Sequence, residues 1–166
     1  MSGAPQVLIM MGSDSDLAVM REATDILDRF GVPWEMRISS AHRSPVRTMA
    51  FASEAAGRGI RVIIAGAGMA AHLAGVIAAK TTLPVIGVPM PGGALNGVDA
   101  LYSTVQMPGG IPVATMAIGK PGAKNAGLFA VQVLALTDGR LADALHEYRR
   151  AMEQEMEAKD AELQAR

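Results

Sequence analysis

The most informative segment of the chain is residues 62–79, which read VIIAGAGMAAHLAGVIAA. Its length and apolar character approach those of a membrane-spanning helix. Three glycines interrupt it, however, and Pro84 follows soon after its end. The β-branched run at its start is typical of a strand. We therefore predict a buried strand, a glycine-rich turn and a helix here, and no membrane span.

The same strand, turn and helix pattern repeats on both sides of this segment. Strands are predicted over residues 6–11, 34–39, 61–65, 84–88 and 112–118. Helices are predicted from the first turn to about 30, from 45 to about 57–59, from the third turn to about 80, and over 100–106, 124–136 and 141–164. Such alternation predicts an α/β fold with a parallel sheet and helices on both faces. Ligands of these folds bind beyond the carboxyl ends of the strands.

Length and charge narrow the class of protein. The 166 residues fit one domain spanning residues 1–166, with residues from about 139 onward forming a C-terminal helix. The chain has 15 basic and 16 acidic residues, which argues against nucleic-acid or membrane partners. It has no cysteine, so disulfides and thiolate chemistry are excluded. The short polar N-terminus lacks a signal-peptide pattern, and we expect a cytoplasmic protein.

Polar residues follow three of the predicted strands directly, in the sequences GSDSD at 12–16, SAHRSP at 40–45 and GAGMAAH at 66–72. These three turns should therefore meet at one edge of the sheet. In the first turn, hydroxyls and helix-end amides could accept a phosphate. Asp16 would repel that anion, so we expect it to accept hydrogen bonds from ribose hydroxyls. Simple capping of the following helix is the alternative.

The second turn is the strongest local signal for chemistry. Imidazole can gain or release a proton near neutral pH, which makes His42 a candidate acid and base. The planar guanidinium of Arg43 suits a phosphate, and Ser40 adds a hydroxyl. A solvated loop histidine is the alternative. In the third turn, small residues would let a planar ring approach the backbone, and His72 is either a ligand contact or a packed histidine. His146 is expected at the surface.

Other site classes lack their signatures. The three histidines show neither H-x-x-x-H nor H-E-x-x-H spacing, and no G-x-S-x-G motif occurs. A phosphoacceptor receiver domain would need an aspartate at the end of its third strand, where this chain has Ala65-Gly66. The Pro/Gly-rich loop over residues 89–98 is either a connector or a mobile lid.

Together, the three turns resemble the signature of the PurE family, the 5-(carboxyamino)imidazole ribonucleotide mutases (phosphoribosylaminoimidazole carboxylase catalytic subunit). Three more segments match this family: LPVIGVP at 83–89, VQMPGGIPVAT at 105–115 and AGL at 126–128. The likeness covers roughly residues 7–136. It departs from the family pattern at Ala74, where proline is usual, and in residues 89–95, which lack the usual lysine or arginine.

This resemblance implies a three-layer, flavodoxin-like α/β/α sandwich that assembles into a homo-octamer with sites between subunits. It implies no metal, ATP or organic cofactor. His42 would be the catalytic acid and base. The substrate-binding residues would be Ser13, Asp16, Ser40, Ala41, Arg43, Gly68, Ala70, His72 and Leu73.

The implied reaction converts 5-(carboxyamino)imidazole ribonucleotide to 4-carboxy-5-aminoimidazole ribonucleotide in de novo purine (IMP) biosynthesis. It would proceed by decarboxylation, trapping of CO2 and recarboxylation. The alternative is a carboxylase of the same fold that adds free CO2 to aminoimidazole ribonucleotide. The long C-terminal helix carries an apolar stripe that we expect to pack on a neighbouring subunit: Leu141, Leu145, Tyr148, Met152 and Met156.

Overall fold

A computed structural model of the chain describes residues 3–165 and contains a five-stranded parallel sheet. Its strand order is β2-β1-β3-β4-β5, the flavodoxin-like order. The strands are β1 (Val7–Met11), β2 (Trp34–Ile38), β3 (Val62–Ala67), β4 (Val85–Pro89) and β5 (Ala114–Thr115). The predicted fold class is confirmed, and the segment at 62–79 supplies a strand and a helix.

Residues 3–165 also form six α-helices. They are α1 (Leu17–Arg29), α2 (Pro45–Glu54), α3 (Leu73–Ala78), α4 (Val98–Val105), α5 (Lys120–Ala135) and α6 (Gly139–Gln164). The chain divides into two compact units between Val131 and Gln132. Among residues 3–165, no helix combines the length and apolarity that crossing a bilayer requires.

One face of the sheet packs against α2 and α3. Leu8 and Met10 of β1 and Ile63 of β3 form a buried cluster with side chains of these two helices. Helix α4 covers the same face, because a Cβ built on Gly87 would lie 2.4 Å from Cγ2 of Thr104. Strands buried on both faces read as continuous apolar runs, as β1, β3 and β4 do.

Helices α1 and α5 lie on the opposite face. A Cβ on Gly66 of β3 would lie 2.6 Å from Sδ of Met20 in α1. A Cβ on Gly127 of α5 would lie 2.8 Å from the carbonyl oxygen of Ala23, so the two helices approach closely. Glycine at these positions makes room for large neighbours, which suits a core poor in aromatic residues. The first unit is thus a three-layer α/β/α sandwich.

The ends of all five predicted strands differ from the observed ones, and in two strands the difference reaches two residues or more at one end. The fifth strand was expected over 112–118, but only Ala114–Thr115 pair with β4. The chain beyond these two residues still makes isolated backbone hydrogen bonds to β4. At Gly119, whose φ is 75°, the chain turns away from the sheet. The third strand continues to Ala67 instead of ending at Ala65, because parallel pairing with β4 reaches Pro89.

The helix predictions also need correction at their starts. Helix α3 has only six residues, because an irregular loop precedes Leu73. Helix α5 begins at Lys120 instead of residue 124, with Pro121 in its first turn. A proline there costs no hydrogen bond, because first-turn N–H groups have no partner within the helix. The long C-terminal helix is confirmed, and the carboxylate of Asp138 caps it.

Candidate functional site

The three polar turns predicted from the sequence meet at the carboxyl ends of β1, β2 and β3. They enclose a cavity of about 410 Å³, within the size range of small-molecule sites. All ten predicted site residues line it: Ser13, Asp16, Ser40, Ala41, His42, Arg43, Gly68, Ala70, His72 and Leu73. The turns converge because β1 lies between β2 and β3 in the sheet.

In the first turn, the two predicted site residues, Ser13 and Asp16, differ in their hydrogen bonds to the helices that follow. The hydroxyl of Ser13 accepts a hydrogen bond from the backbone N–H of Ser15 and so caps a short 3-10 helix at Asp14–Asp16. Asp16 precedes α1, yet its carboxylate makes no capping hydrogen bond to that helix. The capping alternative therefore applies to Ser13 and not to Asp16. The Asp16 carboxylate accepts a hydrogen bond from the Ser15 hydroxyl and keeps further acceptor capacity toward the cavity.

Burial raises the pKa of the Asp16 carboxyl above its ordinary value of 3.8. Hydrogen bonds from the Ser15 side chain and the Ser13 backbone, together with the Arg43 charge, lower this pKa by less than burial raises it, while the Asp14 charge raises it further. The half-buried carboxylate is thus held in an environment that penalises its charge. A ligand that donates hydrogen bonds to it would relieve that penalty.

The second turn is built by two serine hydroxyls. The Oγ of Ser40 accepts hydrogen bonds from the backbone N–H groups of His42 and Arg43. Ser44 directly precedes α2 but makes no side-chain capping hydrogen bond to it; its hydroxyl instead accepts from the N–H of Ser40 and donates to the Ser40 carbonyl. These contacts hold the backbone of residues 40–44 in a tight loop. They fix the Cα positions from which the His42 and Arg43 side chains extend.

Arg43 joins the first and second turns. Its Nη2 atom donates to the carbonyl oxygen of Gly12 at 2.8 Å. One side of the guanidinium is therefore fixed, and its position does not depend on a ligand. The group remains exposed at the cavity. A planar cation held in this way suits a phosphate that approaches its other N–H groups.

The two histidines of the cavity contact each other directly. Nε2 of His42 lies 2.7 Å from Nδ1 of His72, and the two rings are nearly perpendicular, with centroids 4.9 Å apart. This distance is a hydrogen bond in which one ring donates and the other accepts. Sequence reasoning placed His72 in the pocket without linking it to His42. The pair lies 30 residues apart in the chain, and no local signal could have revealed it.

The third turn carries an unusual backbone conformation. Met69 has a φ of 54°, a left-handed conformation that costs a side-chain-bearing residue about 1–2 kcal/mol. Beside it, a Cβ on Gly68 would lie 3.3 Å from Cβ of Met90, and the N–H of Met90 donates to the Ala67 carbonyl. The loop after β3 therefore packs closely on the loop after β4.

The sequence and structure comparisons agree on one family. The family model described as AIR carboxylase matches residues 6–155. The chain belongs to the AIR carboxylase family. It is 55% identical over 163 residues to a protein of Synechocystis sp. named N5-carboxyaminoimidazole ribonucleotide mutase, covering 98% of this chain and 92% of the relative. A Bacillus subtilis protein of the same name is 59% identical over 145 residues, covering 87% and 90%.

Solved structures of the AIR carboxylase family share the fold. A crystal structure of Treponema denticola PurE aligns with a TM-score of 0.87 and 30% sequence identity. The alignment covers 96% of this chain and 98% of that one. The resemblance identified from the turns is therefore confirmed at the level of the family and of the fold.

A fourth segment also lines the cavity, and the sequence offered it only as a connector or a mobile lid. The loop after β4 lines the cavity with Met90, Pro91, Gly92 and Gly93. Its Pro/Gly-rich composition was a signal for a lid, but the sequence does not show which atoms face the cavity. Met69 was likewise not assigned a role. Among the described residues, His, Asp and Glu side chains form no group of three that could hold a metal ion.

Proposed function

We propose that this protein is a mutase that converts 5-(carboxyamino)imidazole ribonucleotide to 4-carboxy-5-aminoimidazole ribonucleotide in purine biosynthesis. The observation that carries this proposal is the hydrogen-bonded pair of His42 and His72 in a cavity that also holds Arg43 and Asp16. The high identity to relatives named for this activity supports it. A proton-transferring pair beside a cation and a hydrogen-bond acceptor matches the needs of this substrate.

The two charged groups would bind the ribonucleotide. The exposed N–H groups of Arg43 would hold the phosphate, with the hydroxyls of Ser13 and Ser40 as further partners. The Asp16 carboxylate would accept hydrogen bonds from the ribose hydroxyls, which relieves the cost of its burial. Gly68, Ala70 and Leu73 would leave space for the flat imidazole and its carboxyl group.

Chemistry would begin when protonated His42 gives a proton to the carbamate nitrogen of the substrate. The C–N bond breaks, CO2 leaves and a free amine remains on the ring. The ring carbon next to that amine attacks CO2 and forms the new C–C bond. Neutral His42 then removes the proton from this carbon and restores the aromatic ring. The proton lost in the first step returns in the last one, so the enzyme ends in its starting state.

A carboxylase of the same fold, which would add free CO2 to aminoimidazole ribonucleotide, is the competing reaction. Each substrate is offered separately in a turnover assay. Product from the carbamate substrate without added bicarbonate supports the mutase, whereas product only from the amine with bicarbonate overturns it.

The role of His42 is tested with His42→Asn. General acid-base groups contribute about 10²–10⁴-fold to rate, and we expect a loss of that size with ligand binding retained. The matched control is His146→Asn, at the exposed histidine of α6. Unchanged turnover in His42→Asn would defeat the assignment.

We also propose that the whole chain, residues 1–166, works as one catalytic domain in a cytoplasmic homo-octamer. The family match crosses the boundary between the two compact units, which supports one functional domain. Exposed apolar side chains support assembly: Val98, Tyr102 and Val105 lie on one face of α4, and Met152 and Met156 lie on α6. Of the apolar stripe predicted on this helix, Leu141 and Tyr148 are instead buried within the single chain, whereas every described residue after Tyr148 is exposed.

Light scattering tests the assembly. Met152→Gln combined with Met156→Gln should lower the mass of the assembly, because it makes the exposed stripe of α6 polar. Glu153→Gln combined with Glu157→Gln introduces the same side chains on a different face and should leave the mass unchanged. An equal mass for both double variants would show that the exposed methionines of α6 do not contribute to the interface. Cell fractionation tests the cytoplasmic location.

A further inference from the structure

In the single chain, Met69 combines an unfavourable backbone conformation with an exposed apolar side chain. Its φ of 54° is a conformation that favours glycine, and its side chain is 65% exposed. Asn96 is the other described non-glycine residue with a positive φ, but asparagine adopts this conformation far more readily than methionine. Glycine at position 69 would avoid both costs. Such outliers often mark a functional site, and Met69 lines the cavity.

The side chain of Met69 lies at the junction of two loops. A Cβ on Gly93 would lie 3.6 Å from Cγ of Met69, so the thioether side chain passes close to the loop after β4. Met90 holds that loop in place: its side chain is only 3% exposed, and its backbone N–H donates a hydrogen bond to the Ala67 carbonyl. The two loops are therefore joined by two contacts, a buried one made by Met90 and an exposed apolar one made by Met69.

We propose that Met69 covers the mouth of the cavity and keeps released CO2 inside until it is attached to the ring carbon. This inference rests on the mutase function proposed above. CO2 is apolar overall and has no hydrogen-bond donor, so the polar side chains of the site offer it little. Its retention depends on apolar walls that exclude water and leave no exit. The unbranched methionine side chain can adapt its shape to an irregular gap between the loops.

The experiment follows the carbon that is transferred. The carbamate substrate carries labelled carbon in its carboxyl group, and the reaction runs in excess unlabelled bicarbonate with carbonic anhydrase. Label in the C-carboxylated product measures internal transfer, and label in the bicarbonate pool measures escape. The spontaneous decarboxylation of the substrate is subtracted with a reaction that contains no enzyme.

Three variants at position 69 separate the side chain from the backbone strain. Met69→Ala removes the cover but keeps a Cβ at positive φ, and Met69→Gly removes both. We expect each to raise the ratio of escaped to transferred label by about tenfold, the lower end of the effect of one methylene group in an apolar pocket. Met69→Leu keeps an apolar cover and should retain more label than either variant. The matched control is Leu95→Ala, at an apolar residue of the neighbouring loop that is 60% exposed and does not line the cavity.

The outcomes distinguish this inference from the proposed function. If the unmodified enzyme forms no C-carboxylated product, the mutase proposal fails. If it does, and Met69→Ala and Met69→Gly release no more label than Leu95→Ala, the cover role of Met69 is wrong while the mutase stands. A rise in Met69→Ala without a rise in Met69→Gly would show that CO2 is retained without a side chain at position 69, and it would equally overturn the cover role.

Discussion

His42 and His72 share one hydrogen bond, with 2.7 Å between Nε2 of the first and Nδ1 of the second. A proton lies between the rings when both are neutral, and also when the pair carries one positive charge. If both rings were protonated, two N–H groups would face each other at this distance. The contact therefore allows only one of the two facing nitrogens to carry a proton. This matches a reaction in which one proton is given and later recovered.

The first prediction concerns this contact. His72→Phe removes the partner of His42 but keeps a flat ring. We expect kcat to fall about 10- to 100-fold, the rate equivalent of a hydrogen bond to a charged group worth roughly 1.5–3 kcal/mol. His72→Asn can still form a hydrogen bond and should recover part of that loss. The two pH-rate profiles are the decisive measurement. Identical profiles and equal rates for both variants would show that His72 only fills space.

The second prediction concerns Asp16 and pH. Burial raises the pKa of this carboxyl in the folded protein. The folded state therefore binds the proton more tightly than the unfolded state, and stability falls as pH rises from about 3.8 through the folded-state pKa. Above the folded-state pKa the folded protein bears the full cost of burying the charge. Asp16→Asn should thus raise Tm at pH 7, and this gain should shrink toward pH 4.

The same substitution should weaken substrate binding, because one of the two acceptor oxygens is lost. Asp25→Asn, at an exposed position of α1, the helix that follows Asp16, is the control for thermal unfolding and for KM. A lower Tm for Asp16→Asn at pH 7 would contradict the view that burial of the charge dominates at this position.

The third prediction concerns Arg43. Lysine keeps the positive charge but cannot contact the Gly12 carbonyl and a phosphate in the planar arrangement of a guanidinium. We expect Arg43→Lys to raise KM about 10- to 100-fold, which corresponds to roughly 1.4–2.8 kcal/mol of binding free energy. The effect on kcat should be smaller. Arg61→Lys, just before the first residue of β3 and thus at the opposite end of the sheet, should leave KM unchanged. Equal KM values for the two variants would exclude Arg43 from phosphate binding.

The fourth prediction concerns the first turn of α5. A Cβ on Gly122 would lie 1.6 Å from the carbonyl oxygen of Ala117, so the backbone itself would have to move. We expect Gly122→Ala to lower the free energy of unfolding by about 3 kcal/mol or more. Gly57→Ala is the control, because a Cβ there would meet nothing within 4 Å. Denaturant unfolding of both variants measures the difference, and equal midpoints would show that the turn can relax.

The location of the site followed from local sequence. Parallel strands place their carboxyl ends at one edge of the sheet, so polar residues after three successive strands had to come together. The residue types in those turns, above all His42 and Arg43, then indicated proton transfer and anion binding. The ends of the elements were less predictable. Ala67 extends β3 because β4 pairs with it, and only pairing between distant segments reveals this.

Sequence alone determined the fold class and the family, and through the family resemblance it named ten of the residues that line the cavity, because the motifs that carry the resemblance consist of residues close together in the chain. Tertiary structure alone decided the His42–His72 hydrogen bond, the burial that raises the pKa of Asp16 and the approach of Met69 to Gly93. Each of these depends on distances of a few ångströms between loops that follow different strands. The order and spacing of the strands set those distances, and no single loop encodes them.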